Sequence, residues 1–285
     1  MDRQNPFHCQ EEKAWCPGCG NHGLLEGIKE ALDQLEKDPH EVVVCSGIGQ
    51  AAKLPHYINA NGFNGLHGRS IPPALGIKVA NPDLTVIIHS GDGDSYGEGG
   101  NHLIHNIRRN PDITHFVHDN QIYGLTKGQA SPTTRQGHVT GIQTEGVQLE
   151  PFNPIALAIS LDCSFVARTF MGDKEHMVKI MKEAIQHKGY ALVDIFQPCV
   201  VFNKINTFKW YKENTYKLDD DYDPTDKIAA FQKSQEYDDG IPIGVIYKKE
   251  KPSFLEGIEY LKDQPSLVKR DLNPDNAKSF MEGFF

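Results

Sequence analysis

The segment around residues 84–94 constrains the fold more than any other part of the chain. The apolar run Leu-Thr-Val-Ile-Ile at residues 84–88 leads into Gly-Asp-Gly-Asp at residues 91–94, and a second apolar run at residues 113–118 leads to Asn120. A strand that stops at such a sequence brings main-chain groups and a carboxylate to the carboxyl edge of a parallel sheet, where open α/β sheets bind ligands. The sequence therefore predicts a ligand site between neighbouring strand ends.

The residue types at this edge suit a Mg²⁺–diphosphate site. Glycines let the main chain approach a phosphate closely, and aspartate oxygens are ligands that Mg²⁺ prefers. Asp92 and Asn120 are predicted to bind the metal through their side chains, and Ile122 through its carbonyl. Mg²⁺ takes about six oxygens, so two side chains, one carbonyl and two phosphate oxygens nearly fill its shell. The alternative is a tight strand-end turn with a solvated aspartate.

Four further motifs surround this segment in a fixed order. They are Trp-Cys-Pro-Gly-Cys-Gly-Asn at residues 15–21, Ser-Gly-Ile-Gly at 46–49, Leu-His-Gly-Arg at 66–69 and Tyr-Gly-Leu-Thr-Lys-Gly-Gln at 123–129. Together with Gly-Asp-Gly and Asn120 they rise well above chance motif matches. The chain resembles the beta subunit of the 2-oxoacid:ferredoxin oxidoreductases over about residues 15–203, and more loosely over its tail.

This resemblance implies an enzyme subunit that uses thiamine diphosphate, Mg²⁺ and a [4Fe–4S] cluster. Such enzymes decarboxylate a 2-oxoacid, pass two electrons singly through the cluster to ferredoxin and transfer the acyl group to coenzyme A. The reaction can also run backwards to fix CO₂. A larger alpha subunit is implied, because the glutamate that activates thiamine has no candidate domain here. The chain alone is therefore expected to be inactive, and to work in a heterodimer or a dimer of heterodimers.

The same resemblance assigns further site residues. Lys53 is expected to face a distal carboxylate of the substrate, which favours 2-oxoglutarate over pyruvate, and Leu125 is expected beside the reacting carbons. The alternative for Lys53 is a solvated surface lysine. The residues expected to bind or close over the cofactors, besides cysteines, are Ile48, His67, Gly91, Asp92, Gly93, Asp94, Asn120, Thr126, Gly128 and Gln129.

Six cysteines without a secretory segment favour metal or redox chemistry over a disulfide framework. Cys16 and Cys19 form a CxxC in a Gly- and Pro-rich turn, and Cys199 follows the last predicted strand. A [4Fe–4S] cluster needs four ligands, which are usually cysteines, whereas zinc is the rival for an isolated CxxC. The resemblance favours the cluster.

The fourth thiolate is the point where the chain departs from the family. The family places a cysteine directly after Ser-Gly-Ile-Gly, and this chain has Gln50 there. Cys45, five residues earlier, is predicted to supply the thiolate if the glycine-containing loop turns it inward. Cys9, a three-cysteine cluster and loss of the cluster are the alternatives, and Cys163 is predicted to be a buried core residue.

Strands alternate with helices five times, which predicts an α/β fold with a doubly wound, mainly parallel sheet of the thiamine diphosphate-binding type. Predicted strands span residues 42–44, 84–88, 113–118, 164–168 and 190–196, and predicted helices span 21–36, 71–80, 102–109, 153–161 and 173–187. Residues 1–14 are predicted to form an arm, residues 45–49 and 59–68 loops, and residues 129–152 a long functional loop. Residues 1–203 are predicted as the cofactor domain, and residues 204–285 as an extended C-terminal arm on the partner subunit.

Composition excludes some classes of function. A net charge of −9 argues against general nucleic-acid binding. No apolar run approaches the ~18 residues of a membrane span. The polar, acidic start of the sequence is not a signal peptide, so a cytoplasmic location is expected. Two rival functions remain: a thiamine-dependent non-redox decarboxylase or synthase subunit, and a non-catalytic structural subunit.

Overall fold

One twisted sheet of eight strands organises the chain. The computed structural model describes residues 5–237, 240–262, 264–271 and 273–284. The strands are β1 (Val42–Ser46), β2 (Asn61–Asn64), β3 (Thr85–Gly91), β4 (Ile113–Asp119), β5 (Phe165–Phe170), β6 (Tyr190–Phe196), β7 (Thr215–Lys217) and β8 (Ile241–Lys248). Their order across the sheet is β2-β1-β3-β4-β6-β5-β8-β7. Neighbours pair in parallel except β5 and β8, which are antiparallel. The predicted fold class is therefore confirmed.

Helices connect the strands. They are α1 (Gly20–Gln34), α2 (Ile71–Ala80), α3 (Gly100–Arg109), α4 (Pro154–Ser160), α5 (Lys174–Gln186), α6 (Phe208–Asn214), α7 (Lys227–Ser234) and α8 (Lys278–Glu282). Short 3₁₀ helices span Pro39–Glu41, Ala51–Tyr57, Leu267–Lys269 and Pro274–Ala277, and a π-helical turn spans Gly93–Glu98. The side chains of Asn153 and Asp173 cap α4 and α5 by accepting from the backbone amides of Ala156 and His176. Within the described ranges, no helix is long and apolar enough to cross a membrane.

The sheet separates two apolar clusters, one on each face. The cluster on one face includes residues of α1 and α5, and the cluster on the other face includes residues of α2, α3 and α4. Because side chains alternate along a strand, Val42 and Val44 of β1 join the first cluster while Val43 and Cys45 join the second. The face on which a side chain of β1 lies is thus fixed by its position in the strand.

Two predictions near the start of the sheet are wrong. Residues 61–64, which the sequence analysis placed in a loop, form β2 beside β1. All four residues of β2 are exposed, so the strand has no apolar alternation by which it could be recognised. The exit loop predicted from Cys45 onward is also wrong at its start, because β1 continues to Ser46. By contrast, α2 and β6 have the predicted bounds.

The segment after Asn203 differs from the predicted extended arm. β8 pairs with β5 in the central sheet, and β7 pairs with β8. Pro242 and Gly244 interrupt the apolar pattern of β8, which is why its periodicity did not reveal it. Beyond β8 the described residues form loops and short helices, and their contact with a partner stays a prediction. The predicted arms include residues 1–4, 238, 239, 263, 272 and 285, which lie outside the described residues.

Candidate functional site

The ends of β3 and β4 bring the predicted metal ligands to one cavity. Asp92 follows β3 directly and Asn120 follows β4 directly, since these parallel strands are neighbours with their carboxyl ends on the same edge. The cavity is lined by Ile48, Gly49, Gln50, Ala51, His67, Gly91, Asp92, Gly93, Asp94, Asn120, Ile122, Tyr123, Gly124, Leu125 and Thr126. We call it the cofactor cavity. It collects most of the non-cysteine residues that the sequence assigned to cofactor and substrate binding.

Two glycines at this edge differ in the space that surrounds them. A Cβ at Gly93 would collide with the ring of Tyr123, so packing within the chain requires a glycine there. A Cβ at Gly91 would meet only the Cβ of Ala51, at 4.0 Å. The chain itself therefore leaves room at Gly91, where a ligand can approach the main chain. This open edge, together with the oxygen donors beside it, fits a diphosphate bound through Mg²⁺.

The Asp94 carboxylate holds the walls of the cavity together. It is buried and accepts from the backbone amides of Ile48 at 2.9 Å and Gly68 at 2.8 Å, and from the hydroxyl of Ser90. The Nδ1 atom of His67 lies 2.6 Å from the same carboxylate. Asp94 lines the cavity as predicted, but its oxygens are committed to these partners. Its contacts assign it a positioning role.

A hydroxyl connects the metal-ligand candidate Asp92 to a second buried acid. The Thr133 hydroxyl oxygen lies 2.7 Å from Asp92 Oδ2 and 2.8 Å from Asp119 Oδ1. A hydroxyl donates a single proton, so two ionised carboxylates cannot both receive it. Burial, together with the charges of Asp194 and Asp92, raises the pKa of Asp119 well above its ordinary value. The Thr133 hydroxyl therefore lies between the two carboxyl groups and donates to one of them at a time.

The pKa of Asp92 itself is raised to about 6, mainly by burial. A third buried acid, Asp194, lies nearby in β6, where it accepts from the Tyr96 hydroxyl at 2.8 Å and lies 3.5 Å from Nε of Arg168. Asp119, Asp194 and Arg168 are not among the site residues predicted from the sequence. The signal that could reveal them is a charged residue inside an otherwise apolar strand, because a charged side chain is rarely buried without a partner.

Three of the four predicted cluster cysteines line a second cavity, which we call the cysteine cavity. It is lined by Trp15, Cys16, Cys19, Asn21, Gln50, Asn120, Gly124, Gln197, Cys199, Val200, Val201 and Phe202. Burial raises the pKa of the Cys19 thiol, and so, to a smaller extent, do Cys199 and Cys16. Gln197 Nε2 donates to Cys19 Sγ at 3.7 Å, and the Phe202 amide donates to Cys199 Sγ at 3.4 Å.

These three thiols do not converge on one point. Within the described part of the chain, no three His, Cys, Asp or Glu side chains are arranged to hold a single metal ion. In a [4Fe–4S] cluster each thiolate binds a different iron atom, so its ligands surround a volume rather than a point. Three soft sulfur donors around one cavity, two of them receiving N–H donors, fit three corners of such a cluster.

The prediction that Cys45 supplies a cluster thiolate is wrong. Cys45 is fully buried in the apolar cluster against α2 and α3, on the sheet face opposite α1. Burial raises the pKa of its thiol to about 12. Cys45 pairs with Phe63 of β2 on one side and with Ile88 of β3 on the other. Turning its side chain toward the cysteine cavity would break the strand pairing on both sides.

Gln50 lines the cysteine cavity instead, and it also lines the cofactor cavity. Its backbone carbonyl accepts from Nε1 of Trp15 at 2.8 Å. Its side-chain Oε1 is buried and has no hydrogen-bond partner among the described residues. Gln50 is not among the site residues predicted from the sequence, where it marks only the position of a missing cysteine.

Three other candidates lie outside both cavities. The Lys53 ammonium donates to the Ala14 carbonyl at 3.1 Å, so it holds the N-terminal arm, and its substrate role stays a prediction. Cys9 Sγ lies 3.8 Å from the His56 carbonyl and does not line the cysteine cavity. Cys163 is fully buried in the core, as predicted.

Gly128 and Gln129 shape the loop beside the cofactor cavity rather than line it. The Tyr123 amide donates to the Gln129 carbonyl at 2.9 Å, which closes the loop. Gly128 has a φ of +106°, and a Cβ there would press on the Phe202 ring at 2.9 Å, so two constraints require glycine. Their closing over a diphosphate stays a prediction.

A chain of buried polar side chains lies behind the cysteine cavity. Asn21, which lines that cavity, contacts Nδ1 of His118 through Oδ1 at 2.7 Å, and His118 Nε2 lies 2.8 Å from Nδ1 of His89. Burial lowers the pKa of His118 to about 3, and burial also lowers the pKa of His89 well below its ordinary value. Both imidazoles are therefore neutral near pH 7.

Comparison with known families identifies both parts of the chain. The model described as the thiamine pyrophosphate enzyme C-terminal TPP binding domain matches residues 42–195. The model for the C-terminal part of the pyruvate ferredoxin oxidoreductase beta subunit matches residues 199–263.

Individual relatives agree with these models. Subunit beta of 2-oxoacid:ferredoxin oxidoreductase 1 from Aeropyrum pernix is 47% identical over 82% of this chain and 77% of its own length. The 2-oxoglutarate synthase subunit KorB of Archaeoglobus fulgidus is 35% identical over 92% of this chain and 94% of its own length. A solved 2-oxoglutarate:ferredoxin oxidoreductase from Magnetococcus marinus, with 2-oxoglutarate, coenzyme A and succinyl-CoA bound, superimposes with a TM-score of 0.91 at 32% identity, covering 99% of this chain and 97% of that one.

Proposed function

This chain belongs to the beta subunits of the 2-oxoacid:ferredoxin oxidoreductases, and we propose that it is the cofactor-binding half of a coenzyme A-dependent 2-oxoacid decarboxylase of that oxidoreductase family. A [4Fe–4S] cluster held by this chain would supply the one-electron carrier to ferredoxin, and the reaction would be reversible toward CO₂ fixation. One observation carries the proposal: a cavity with Mg²⁺-type oxygen donors and a cavity with three thiols share a wall formed by Gln50, Asn120 and Gly124.

In the cofactor cavity, the side chains of Asp92 and Asn120 and the carbonyl of Ile122 would hold Mg²⁺. The main chain at Gly91 and Gly93 would bind the diphosphate. When bound, thiamine diphosphate supplies the electron sink for decarboxylation, and the cluster supplies a one-electron carrier. The buried Asp119–Thr133 pair orients the Asp92 carboxylate from behind, as outer-shell partners of metal ligands do.

In the cysteine cavity, Cys16, Cys19 and Cys199 would bind the iron atoms of the cluster. The N–H donors of Gln197 and Phe202 stabilise the negative charge on two of these thiolates. The geometry favours a cluster over zinc, since the three thiols surround a cavity and zinc requires about four ligands on one ion.

The substrate that we propose is 2-oxoglutarate, with pyruvate next. Support comes from the Archaeoglobus fulgidus relative and from the Magnetococcus marinus structure, both of which carry 2-oxoglutarate in their names. Lys53 adds no support in this conformation, because its ammonium is bonded to the Ala14 carbonyl.

The enzyme is completed by an alpha subunit, as the beta-subunit relatives imply. That partner supplies the glutamate that activates thiamine and covers the exposed side of the cofactor cavity. We further propose that residues 204–285 contribute to that interface. Tyr260 and Val268 are large hydrophobic residues that are 69% and 63% exposed, so they are available for such a contact.

A second candidate is a thiamine-dependent non-redox decarboxylase or synthase subunit. One observation favours it: Gln50 occupies the wall of the cysteine cavity where a fourth thiolate would be needed. The two candidates differ in their iron and acid-labile sulfide, which the redox enzyme contains and the non-redox enzyme lacks.

The test is co-expression with an alpha subunit of this enzyme family, followed by anaerobic purification. We expect 2-oxoglutarate to reduce a dye or ferredoxin only when coenzyme A is present, with lower kcat/KM for pyruvate, and no turnover by this chain alone. Release of CO₂ without acceptor reduction, from a complex that contains no iron, would support the non-redox candidate. Turnover by the isolated chain would contradict the two-subunit proposal.

A further inference from the structure

Gln50 occupies an unusual position among the residues of both cavities. It lines the cofactor cavity and the cysteine cavity at once, immediately before the 3₁₀ helix Ala51–Tyr57. The hydrogen bond from Trp15 Nε1 to its carbonyl fixes its main chain at the edge of the cysteine cavity. The following inference rests on the proposed function and specifies how this chain would hold its cluster.

The chain provides three thiols to the cysteine cavity. Among the described residues, Cys16, Cys19 and Cys199 line it, and the other three cysteines do not. Cys45 and Cys163 are fully buried in the apolar cluster on the far face of the sheet. A [4Fe–4S] cluster in this cavity therefore has one iron atom without a cysteine of this chain.

The side chain that remains for that iron is a carboxamide. Gln50 Oε1 is buried and has no hydrogen-bond partner in the described part of the chain. A buried acceptor without a partner is destabilising, and coordination to iron would satisfy it. A neutral carboxamide oxygen is a hard, weak ligand compared with a thiolate, so the iron that it contacts is held less firmly.

We propose that this chain binds a [4Fe–4S] cluster through three thiolates, with Gln50 at the fourth iron, and that this exchangeable iron lies on the side of the cofactor cavity. One-electron oxidation then releases it: [4Fe–4S]²⁺ gives [3Fe–4S]⁺, Fe²⁺ and one electron, which the oxidant accepts. The bonds from the released iron to Gln50 and to three sulfides break, and all four sulfides stay with the protein. Added Fe²⁺ with a one-electron reductant reverses the step.

The experiment compares the wild-type complex with Gln50→Cys and Gln50→Leu, all purified anaerobically with the alpha subunit. A Cys199→Ser complex gives the background from any cluster held elsewhere. Each protein is titrated with ferricyanide, and iron content and the low-temperature electron paramagnetic resonance spectrum are recorded. We expect the wild-type protein to lose about one iron in four and to develop the signal of an oxidised three-iron cluster, and to recover after Fe²⁺ and dithionite.

Gln50→Cys should retain its iron at the same ratio of ferricyanide to protein, because a fourth thiolate would hold that iron more firmly than the carboxamide does. Gln50→Leu should lose iron at least as readily as wild type, and it tests the same point should the cysteine variant fail to fold. A wild-type cluster as resistant as that of Gln50→Cys, or a Gln50→Leu cluster more resistant than wild type, would overturn this inference and leave the proposed function intact. A wild-type complex that takes up no iron and sulfide on reconstitution would overturn both.

Discussion

The cofactor cavity and the cysteine cavity share a wall, yet the chain builds them in different ways. The oxygen donors of the first follow directly from the ends of β3 and β4, and buried hydrogen bonds through Asp94 and Thr133 hold its walls before any ligand arrives. The thiols of the cysteine cavity come from separate segments around residues 16–19 and 199. Cys19 and Cys199 each receive a single N–H donor. The sheet therefore fixes the oxygen site, whereas the bound group must complete the sulfur site.

The largest effect is expected at the oxygen site. Asp92→Ala removes an anionic ligand from the cofactor cavity and should weaken Mg²⁺-dependent thiamine diphosphate binding by at least about 100-fold, because even outer-shell partners account for roughly 10–100-fold. Calorimetric titration of the assembled complex measures the affinity. Asp83→Ala, at an exposed acid paired with Lys269, is the control. Iron content should not change. Loss of iron together with the loss of cofactor affinity would contradict the view that the two sites are built independently.

A smaller effect is expected when only the support behind Asp92 is removed. Thr133→Val keeps the shape of the side chain but deletes the hydroxyl between Asp92 and Asp119, and should lower Mg²⁺ affinity by roughly 10-fold or more. Thr134→Val is the matched control, because the Thr134 hydroxyl donates to the Gln121 carbonyl rather than to an acid. Equal affinities in the two variants would show that the buried acids do not position the ligand.

The buried acids also predict how stability depends on pH. The pKa of Asp119 is raised in the folded protein, which keeps a proton that the unfolded chain releases near pH 4. The folded state therefore binds more protons, and the free energy of unfolding of the cofactor-free protein should fall as pH rises above about 4. Asp119→Asn should flatten that slope, while Asp220→Asn on the exposed acidic run should not. Thermal unfolding between about pH 5 and pH 8 measures the difference, and identical slopes would contradict it.

The smallest effect is expected at a thiol that the sheet buries. Cys45→Ala should leave the iron content and the paramagnetic resonance spectrum of the complex unchanged, since Cys45 faces the opposite apolar cluster. Its stability should fall by no more than about 1–2 kcal/mol, as for a modest core truncation. Cys16→Ser is the comparison that should lose iron. Loss of iron from the Cys45 variant would mean that the two faces of the sheet are coupled after all.

Sequence alone predicted the parts of the site that depend on local pattern. An apolar strand followed by Gly-Asp-Gly, and another followed by Asn120, have to deliver their ends to one sheet edge, and the structure brings them together. The wrong predictions concern segments whose conformation depends on the elements packed beside them. The edge strand β2 is exposed on every residue, and β8 becomes a strand by pairing with β5. The face that Cys45 occupies follows from how far β1 extends, which a short apolar run does not reveal.

The buried acids were missed for the same reason. Asp119 and Asp194 come from adjacent strands, and their mutual repulsion depends on a register that no single segment contains. Thr133 reaches Asp92 and Asp119 from the long loop before α4, which was predicted to be functional but could not be placed. Local pattern thus locates the ligands of a site, while its electrostatics depends on contacts between distant segments.

The imidazole chain behind the cysteine cavity has a consequence for electron storage. His118 contacts Asn21 at the cavity wall, and burial lowers its pKa to about 3, so it binds no proton near pH 7. These imidazoles therefore place no positive charge beside the cysteine cavity. We expect them to add no pH dependence across the neutral range to the midpoint potential of a cluster bound there, which suits a carrier for an acceptor of low potential.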